Sequence, residues 1–538
     1  MMVHLKTHRL RILLPLLLLA ALTGSADAEN TPAQAVKKNV LFIAVDDLKP
    51  LLNCYGHAHV HSPNIDALAA SGMVFRNAHC QQALCGPSRM SLLTGYYPDT
   101  LGIYGMGQER YKFRPKYPDL VTLPQHFKNN GYVTIGTGKI FDPRNVEDIW
   151  DGPQDAVSWT EFFGKNAYNA TTGGPVIGGY YHNPALKNLV ARLKREATAL
   201  GFSGKKLQHY VRDHGGGPAV ECYDVPDDSY RDGTIANRGI EQLKKLKTSN
   251  EPFFLAVGFT KPHLPFVAPK KYWDLYDREE IDLAPFQHYP ENSPACAATS
   301  YVEARGYSGV PTEGPISEAT QQELIHGYLA CASYVDAQIG KLIATLKETG
   351  LYDNTVIVLW GDHGFHLGDK QLWGKHTNYE QSTRVPLIMA GPGVIGGKSS
   401  DSPVNLIDIF PTLCEMTDLT PPRGIDGKSL GPILKQRQQA VNQFAASIYP
   451  RNGIWGVAIR TERYRYVAWY KGSYNKKRNG VRLNQPPQYT ELYDYQTDPL
   501  EQFNLSGKPD YVDIEEQLAK TNLQHVTFTQ NKQFSARE

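Results

Sequence analysis

The stretch "ALCGPSRMSLLT" (residues 83–94) sets Cys85 three residues before Ser88, with Gly86 and Pro87 between, directly upstream of a helical sequence. A structural thiol needs no such surroundings. If the helix opens at Ser88, Cys85 lies at a helix N-terminus, where unpaired N–H groups favour an anion. Arg89, on the first turn, can then orient a nucleophile or neutralise anionic charge. Elsewhere, ionisable residues recur just beyond apolar runs: Asp46 and Asp47, Lys139, His263, Asp362 and His363, with Lys375 further on. Three carboxylates converging from Asp46, Asp47 and Asp362 suit a hard divalent cation, and oxygen ligands favour Ca²⁺ over softer metals. Taken singly, each Asp is as readily a turn or cap residue, and each Lys a solvated one.

Four apolar runs must position these groups. "NVLFIAV" (39–45) runs into Asp46 and Asp47, and "YVTIG" (132–136) leads to Lys139. "PFFLAVGF" (252–259) leads to "TKPH", and "NTVIVLW" (354–360) leads to "GDHG". Continuous rather than alternating apolar character predicts strands covered on both faces. Helical patterns lie between them, in "SPNIDALAAS", "LPQHFKNNG", "DGTIANRGIEQLKKLK" and the long stretch 321–350. Strands alternating with helices predict an α/β fold, a large, mixed, mostly parallel sheet sandwiched by helices. In such sheets ligands sit beyond the carboxyl ends of the strands, where all four runs place charged or His residues. After "DGKSLGPIL" (426–434) the chain turns Tyr-rich and alternating, which predicts a small C-terminal α+β subdomain with an antiparallel sheet from near residue 440. The expected division is a catalytic domain over 37–435 and a C-terminal subdomain over 440–525. Residues 150–225 read as an excursion from the sheet, and 285–318, rich in Pro, Ser and Gly, as a surface loop.

Lys6, Arg9 and Arg11, the apolar "ILLPLLLLAAL" and the small-residue "GSADA" ending at Ala28 form the pattern of a secretory signal peptide over 1–28. Nothing later is long and apolar enough to span a bilayer, so export as a soluble protein is expected. Cleavage removes those three basic residues and Asp27 from totals of 56 basic and 54 acidic, leaving the two signs balanced. No global field then draws in nucleic acid or an anionic membrane, and an anionic ligand must be held by local basic residues. The seven cysteines (54, 80, 85, 222, 296, 331, 414) leave at least one unpaired, with Cys85 the candidate, and the other six are bridges or buried thiols. Asn169 and Asn504 lie in glycosylation sequons.

The pentapeptide Cys-Gly-Pro-Ser-Arg (85–89) with its trailing "MSLLTG" matches the sulfatase signature Cys-X-Pro-Ser-Arg. With "VLFIAVDDLKPLLNCYG", "GKIF", "FFLAVGFTKPHLPF", "WGDHGFHLGD", "NYEQSTRVPLI" and "LYDYQTDPLEQFNL", the chain resembles the formylglycine-dependent sulfatases of the alkaline phosphatase superfamily, in their iduronate-2-sulfatase-like branch. The resemblance covers nearly the whole mature chain. It implies oxidation of Cys85 to formylglycine before folding, by a formylglycine-generating or sulfatase-maturating enzyme. It further implies one Ca²⁺ held by Asp46, Asp47, Asp362, His363 and residue 85. Cys85, Arg89, Lys139, His263 and Lys375 become the catalytic set. Lys139 and Lys375 bracket the sulfate and stabilise charge on the bridging oxygen, while His263 transfers a proton. Lys261 and His376 add secondary contacts. The chemistry is coherent: of the two hydroxyls of an aldehyde hydrate, one displaces the alcohol at sulfur and the other collapses to release sulfate.

One position departs from the pattern. Relatives commonly carry His three residues after the "GK" lysine, whereas this chain has Asp142. A carboxylate beside bound sulfate repels it unless paired, with Arg144 or Lys139 as the available partners. The expected substrate is a sulfated carbohydrate, such as a 2-O-sulfated uronate of a glycosaminoglycan or an algal polysaccharide such as ulvan. The competing readings are a phosphomonoester or phosphodiester hydrolase of the same superfamily and a non-catalytic carbohydrate-binding relative. The expected location is periplasmic or secreted, or a lysosome-like compartment in a eukaryote.

Overall fold

In a computed structural model, residues 37–146, 152–164, 181–475, 478–481 and 483–532 are described. The expected signal peptide over 1–28 and Asn169 fall outside them. Four central strands coincide with the four apolar runs: β1 (Asn39–Val45), β3 (Val133–Gly138), β5 (Phe253–Phe259) and β6 (Thr355–Gly361). With β2 (Gly72–Phe75), β4 (Glu161–Phe163), β7 (Leu387–Ala390) and β8 (Lys398–Ser400) they form an eight-stranded sheet of order β8-β2-β7-β6-β1-β5-β3-β4. β1 lies parallel to β5 and β6, and β3 parallel to β4 and β5; β7 alone runs antiparallel to its neighbours β2 and β6.

Burial on both faces explains why the runs lack alternation. Along β1, Val40, Phe42 and Ala44 enter one hydrophobic core, while Leu41, Ile43 and Val45 enter another on the opposite face. The first core takes Met90, Leu92 and Leu93 from α2 (Cys85–Thr94). The second takes Ile65 and Leu68 from α1 (Pro63–Ser71), Ile235 and Leu243 from α4 (Arg231–Ser249), and Val335, Ile339 and Leu342 from α5 (Glu318–Glu348).

The register sets the height of the site. Val45 pairs with Phe259 on one side and Gly361 on the other, so Asp46, Thr260 and Asp362 leave the sheet at one level. Gly138 pairs with Gly258, which brings Lys139 to the same rim. At Gly258 a Cβ would stand 2.1 Å from the carbonyl oxygen of Lys139, so only glycine permits that approach.

The C-terminal region is an antiparallel sheet of β9 (Ala445–Pro450), β10 (Ile454–Arg460), β11 (Tyr464–Asn475) and β12 (Arg478–Val481), with β13 (Tyr489–Asp494) beside β11, followed by α6 (Val512–Asn531). Its Ile448, Trp455, Val457, Tyr466 and Val526 belong to the same core as Val40 and Phe42. None of the seven cysteines is bridged. Asn504 of the second sequon is buried, with its amide donating to the carbonyls of Asn292 and Thr490, which leaves no room for a glycan in the folded chain.

Candidate active site

α2 begins at Cys85 rather than Ser88. Gly86 and Pro87 fit its first turn because the first amides of a helix have no intrahelical acceptor, so Pro87 forfeits nothing there. Leu84 is extended, and the first helical bond runs from Ser88 N to Leu84 O. Every residue of α2 is buried, and Cys85 is only 1% exposed.

Around Cys85 the predicted residues converge. Its Sγ lies 3.1 Å from His363 Nε2, and the donor atoms of Asp46, Cys85, Asp362 and His363 all fall within 4.8 Å of one another. A second, overlapping group joins Asp46, Asp47, Cys85 and His263. Arg89 ties the first group together: Nε donates to Asp362 Oδ2 (2.9 Å), Nη2 to Asp46 Oδ1 (3.1 Å), and Nη1 to the carbonyls of Lys139 and Ile140. Lys139 Nζ sits 2.8 and 2.7 Å from the two oxygens of Asp46. Asp47 adopts a left-handed backbone (φ 61°), and its amide donates to Asp362 Oδ1. That conformation is uncommon for a residue with a Cβ, and Asp is among those that tolerate it.

Arg89, Lys139 and Lys375 thus face Asp46, Asp47 and Asp362, and all six side chains are buried. Burial pushes the Asp46 carboxyl up, yet Lys139 and Arg89 bring it well below its ordinary value. Asp47 is likewise lowered against its burial, by His263, Lys375 and His363. The Cys85 thiol is pushed well above its ordinary value by burial and then by Asp46, so the unmodified side chain is a neutral thiol and a poor nucleophile.

The donor set fits a hard cation. His363 Nδ1 faces the carbonyl of Gly364 at 3.0 Å, an acceptor only, so this nitrogen carries the proton. Nε2 then points at Asp47 Oδ1 (3.3 Å) and Asp362 Oδ1 (3.7 Å) as well as at Cys85. An imidazole nitrogen facing two carboxylates calls for positive charge between them, which a ring proton supplies when no ion does. A bound cation provides it, and an imidazole fixed through its other nitrogen is the usual form of a metal-binding His. Three carboxylates make the set predominantly oxygen, as calcium prefers; the imidazole is its one soft member besides residue 85.

His263, 27% exposed in its side chain, donates from Nδ1 to Leu264 O (2.7 Å) and turns Nε2 toward Glu303 Oε1 (3.4 Å) and Asp47 Oδ2 (3.9 Å). Glu303, whose other oxygen lies 3.2 Å from Lys375 Nζ, is a site residue that sequence reasoning missed. It comes from the stretch read as a surface loop, and nothing in its local sequence marks it. Lys261 does not reach the cluster; its ammonium donates to the carbonyls of His263 and Pro265. His376 stands at the rim, its ring 4.8 Å from Tyr301 and its Nδ1 bonded to the Tyr449 hydroxyl. Asp142 is fully buried and gripped by Arg144, with Lys139 Nζ 3.9 Å away. A separate cleft of about 1040 Å³, lined by residues including His57, Arg76, Tyr276 and Arg384, contains none of these groups. The chemistry belongs to the Cys85 cluster, because among the described residues nucleophile, carboxylates and cations converge there.

The chain is similar to known proteins along most of its length. The profile of the sulfatase family matches residues 38–419, and that of the N-sulphoglucosamine sulphohydrolase C-terminal region matches residues 368–527. A sulfatase of Formosa agariphila is 32% identical over 476 residues, covering 87% of this chain and 83% of that protein. Iduronate 2-sulfatase of Homo sapiens is 31% identical over 558 residues, covering 90% and 93%. The solved structure of a 2-O GAG sulfatase superposes with a TM-score of 0.61 at 22% identity over 92% of each chain. That of a phosphonate monoester hydrolase from Silicibacter pomeroyi gives 0.67 at 24% identity, over 93% and 97%. These two likenesses concern the fold alone. With the family profile spanning most of the chain and relatives above 30% identity along nearly all of it, the chain belongs to the sulfatase family and is a sulfuric ester hydrolase.

Proposed function

We propose that this protein hydrolyses sulfate monoesters on sugars, with residue 85 as formylglycine and Ca²⁺ held by Asp46, Asp47, Asp362, His363 and residue 85. The observation that carries the reading is the place of Cys85: first in a buried helix, 3.1 Å from His363, inside a ring of carboxylates braced by Arg89. The raised thiol pKa supports a modified residue, since a neutral, buried thiol does not attack sulfur.

When present, the formylglycine hydrate supplies the attacking oxygen and a route for releasing sulfate, and calcium supplies Lewis-acid polarisation of the sulfate oxygens. The chain's own residues do the rest. The N-terminus of α2 presents partial positive charge to the anion. Arg89 fixes Asp46 and Asp362 relative to residue 85. Once the carboxylates serve a metal, Lys139 and Lys375 are left to bracket the sulfate and offset charge on the bridging oxygen. His263 moves its proton at Nε2, because Nδ1 is committed to Leu264 O, and so protonates the leaving alcohol.

Relatives support the substrate class: human iduronate 2-sulfatase and an ulvan-active sulfatase of Formosa agariphila match most of this chain. A 2-O-sulfated uronate in a glycosaminoglycan or in ulvan is the proposed target. Export by the 1–28 leader, meeting a formylglycine-generating or sulfatase-maturating enzyme on the way, completes the reading. Among the described residues no helix is long and apolar enough to cross a membrane. Mass spectrometry of the peptide spanning residue 85 from the native host, with sulfate release from defined sulfated oligosaccharides, tests the proposal. An unmodified cysteine and no sulfate release would sink it.

A further inference from the structure

Asp142 and Arg144 form a feature of the site that the reaction outlined above does not use. Asp142 is 0% exposed, yet its carboxylate lies 3.9 Å from Lys139 Nζ, beside a region built to receive an anion. Its charge is answered within its own turn, where Arg144 Nε donates to Oδ1 (2.8 Å), Nη2 to Oδ2 (2.6 Å), and the Arg144 amide to Oδ1 (3.1 Å). A two-pronged grip of this kind fixes the plane of a guanidinium. While the carboxylate is fully covered, the Arg144 side chain is 36% exposed, so the pair leads from the interior to the surface.

The short helix α3 (Pro143–Val146) that carries Arg144 lies against the nucleophile turn: Asn145 Oδ1 occupies the space a Cβ on Gly86 would need. Asn145 is itself anchored, donating to the carbonyls of Gly105 and Tyr111. Asp142, which Arg144 grips, stands 3.9 Å from Lys139 Nζ, so the guanidinium is one residue removed from the lysine that brackets the sulfate. Arg144 therefore leads from the buried cluster toward the surface.

We propose that Arg144, mounted on the buried carboxylate of Asp142, recognises a second anionic oxygen group of the substrate, a carboxylate or a further sulfate ester borne near the one being cleaved. The inference rests on the sulfatase reading and narrows it to doubly anionic sugars. A fixed guanidinium matches a planar carboxylate or two sulfate oxygens in a way an ammonium does not. Asp142 is a positioning residue: it touches Arg144 rather than substrate, and it keeps the added cation from overcharging a site that already holds Arg89, Lys139 and Lys375.

The test compares kcat/KM for three sulfated sugars: a neutral hexose sulfate, a sulfated uronate, and a hexose with two sulfates. Wild-type enzyme is expected to favour one or both doubly anionic substrates over the neutral hexose sulfate by about tenfold or more. The arm that shows the preference identifies the carboxylate or the second sulfate. Arg144→Gln should collapse that preference mainly through KM, Arg144→Lys should restore part of it, and Asp142→Asn should weaken it without contacting substrate. A preference that survives Arg144→Gln within twofold overturns the proposal. If the variants do not fold, the sulfated uronate and its methyl ester on wild-type enzyme decide the carboxylate arm, and the disulfated and monosulfated hexoses decide the sulfate arm. Equal rates within both pairs overturn the proposal. Turnover of all three sugars at equal kcat/KM rejects the role of Arg144 and leaves the sulfatase reading standing, whereas no turnover of any sulfate ester rejects both.

Discussion

Lys375 Nζ lies 2.9 and 2.8 Å from the two carboxylate oxygens of Asp47, an ammonium occupying the approach a metal ion would take. Lys139 does the same at Asp46. The two lysines neutralise these carboxylates, so a Ca²⁺ ion bound there as proposed would have to displace them. Lys375→Met is therefore expected to bind Ca²⁺ more tightly, by about tenfold for one competing charge removed, while losing turnover. Calorimetric calcium titration of wild type and variant checks this; weaker binding in Lys375→Met contradicts it. Chelation should inactivate the enzyme, and added calcium should restore it.

Arg89 is fully buried and bridges Asp46 and Asp362, so removing it strands two carboxylates away from water. Arg89→Met is expected to destabilise the calcium-free protein by about 3–5 kcal/mol. The deficit should shrink when calcium is added, because the divalent ion takes up the stranded charge. Denaturant melts with and without calcium measure both numbers, and a deficit indifferent to calcium would count against the metal site.

The loop carrying Lys375 is held from outside. Lys370, Gln371 and His376 all have left-handed backbones (φ 55°, 60° and 73°), conformations that cost about 1–3 kcal/mol each and persist only where neighbours impose them. Residues of the C-terminal region brace the loop: Arg451 donates to the carbonyl of His376, Arg465 to that of Asn378, and Lys370 pairs with Glu501 at 3.3 Å. Arg451→Met is expected to lower kcat about tenfold or more with little change in melting temperature, since it misplaces Lys375 without opening the core. Steady-state kinetics beside thermal melts decide; intact kcat would mean the loop holds its own shape.

His525 on α6 sits edge-on to Tyr97 at 4.7 Å and near Phe444 at 5.7 Å, and burial lowers its pKa to about 4. A base whose folded pKa is depressed contributes stability that is present above its ordinary value near 6.5 and lost as pH falls toward 4. The contribution is about 3 kcal/mol by that shift. His525→Phe should flatten the fall in melting temperature between pH 6.5 and 4 relative to wild type. Parallel curves for the two proteins would exclude it.

Much of this was legible in the sequence because strands buried on both faces announce themselves as unbroken apolar runs, and their last residues mark one rim. Asp46, Lys139, Asp362 and His363 could be placed that way. Which cation meets which carboxylate could not, since those choices span 93 residues for Lys139 with Asp46 and 328 for Lys375 with Asp47. Glu303 was hidden in a polar loop whose composition gives no sign that it turns inward. The start of α2 was misplaced by three residues because Gly and Pro argue against helix everywhere except in a first turn, where they are harmless. Asp142 was legible as a problem with Arg144 or Lys139 as its partner, and the structure gives it chiefly to Arg144, at 2.6 Å, with Lys139 Nζ 3.9 Å away.

The enclosure of residue 85 has a temporal consequence. With its side chain 1% exposed at the head of α2, residue 85 offers no catalyst of protein size a way in once the molecule is finished. If it is oxidised as proposed, the step belongs to the nascent segment, and a molecule that completes its collapse first would be stranded as an inert thiol form. Specific activity in a preparation would then record a race between two processes in the cell, and slowing collapse or supplying more of the oxidising partner should shift the winners.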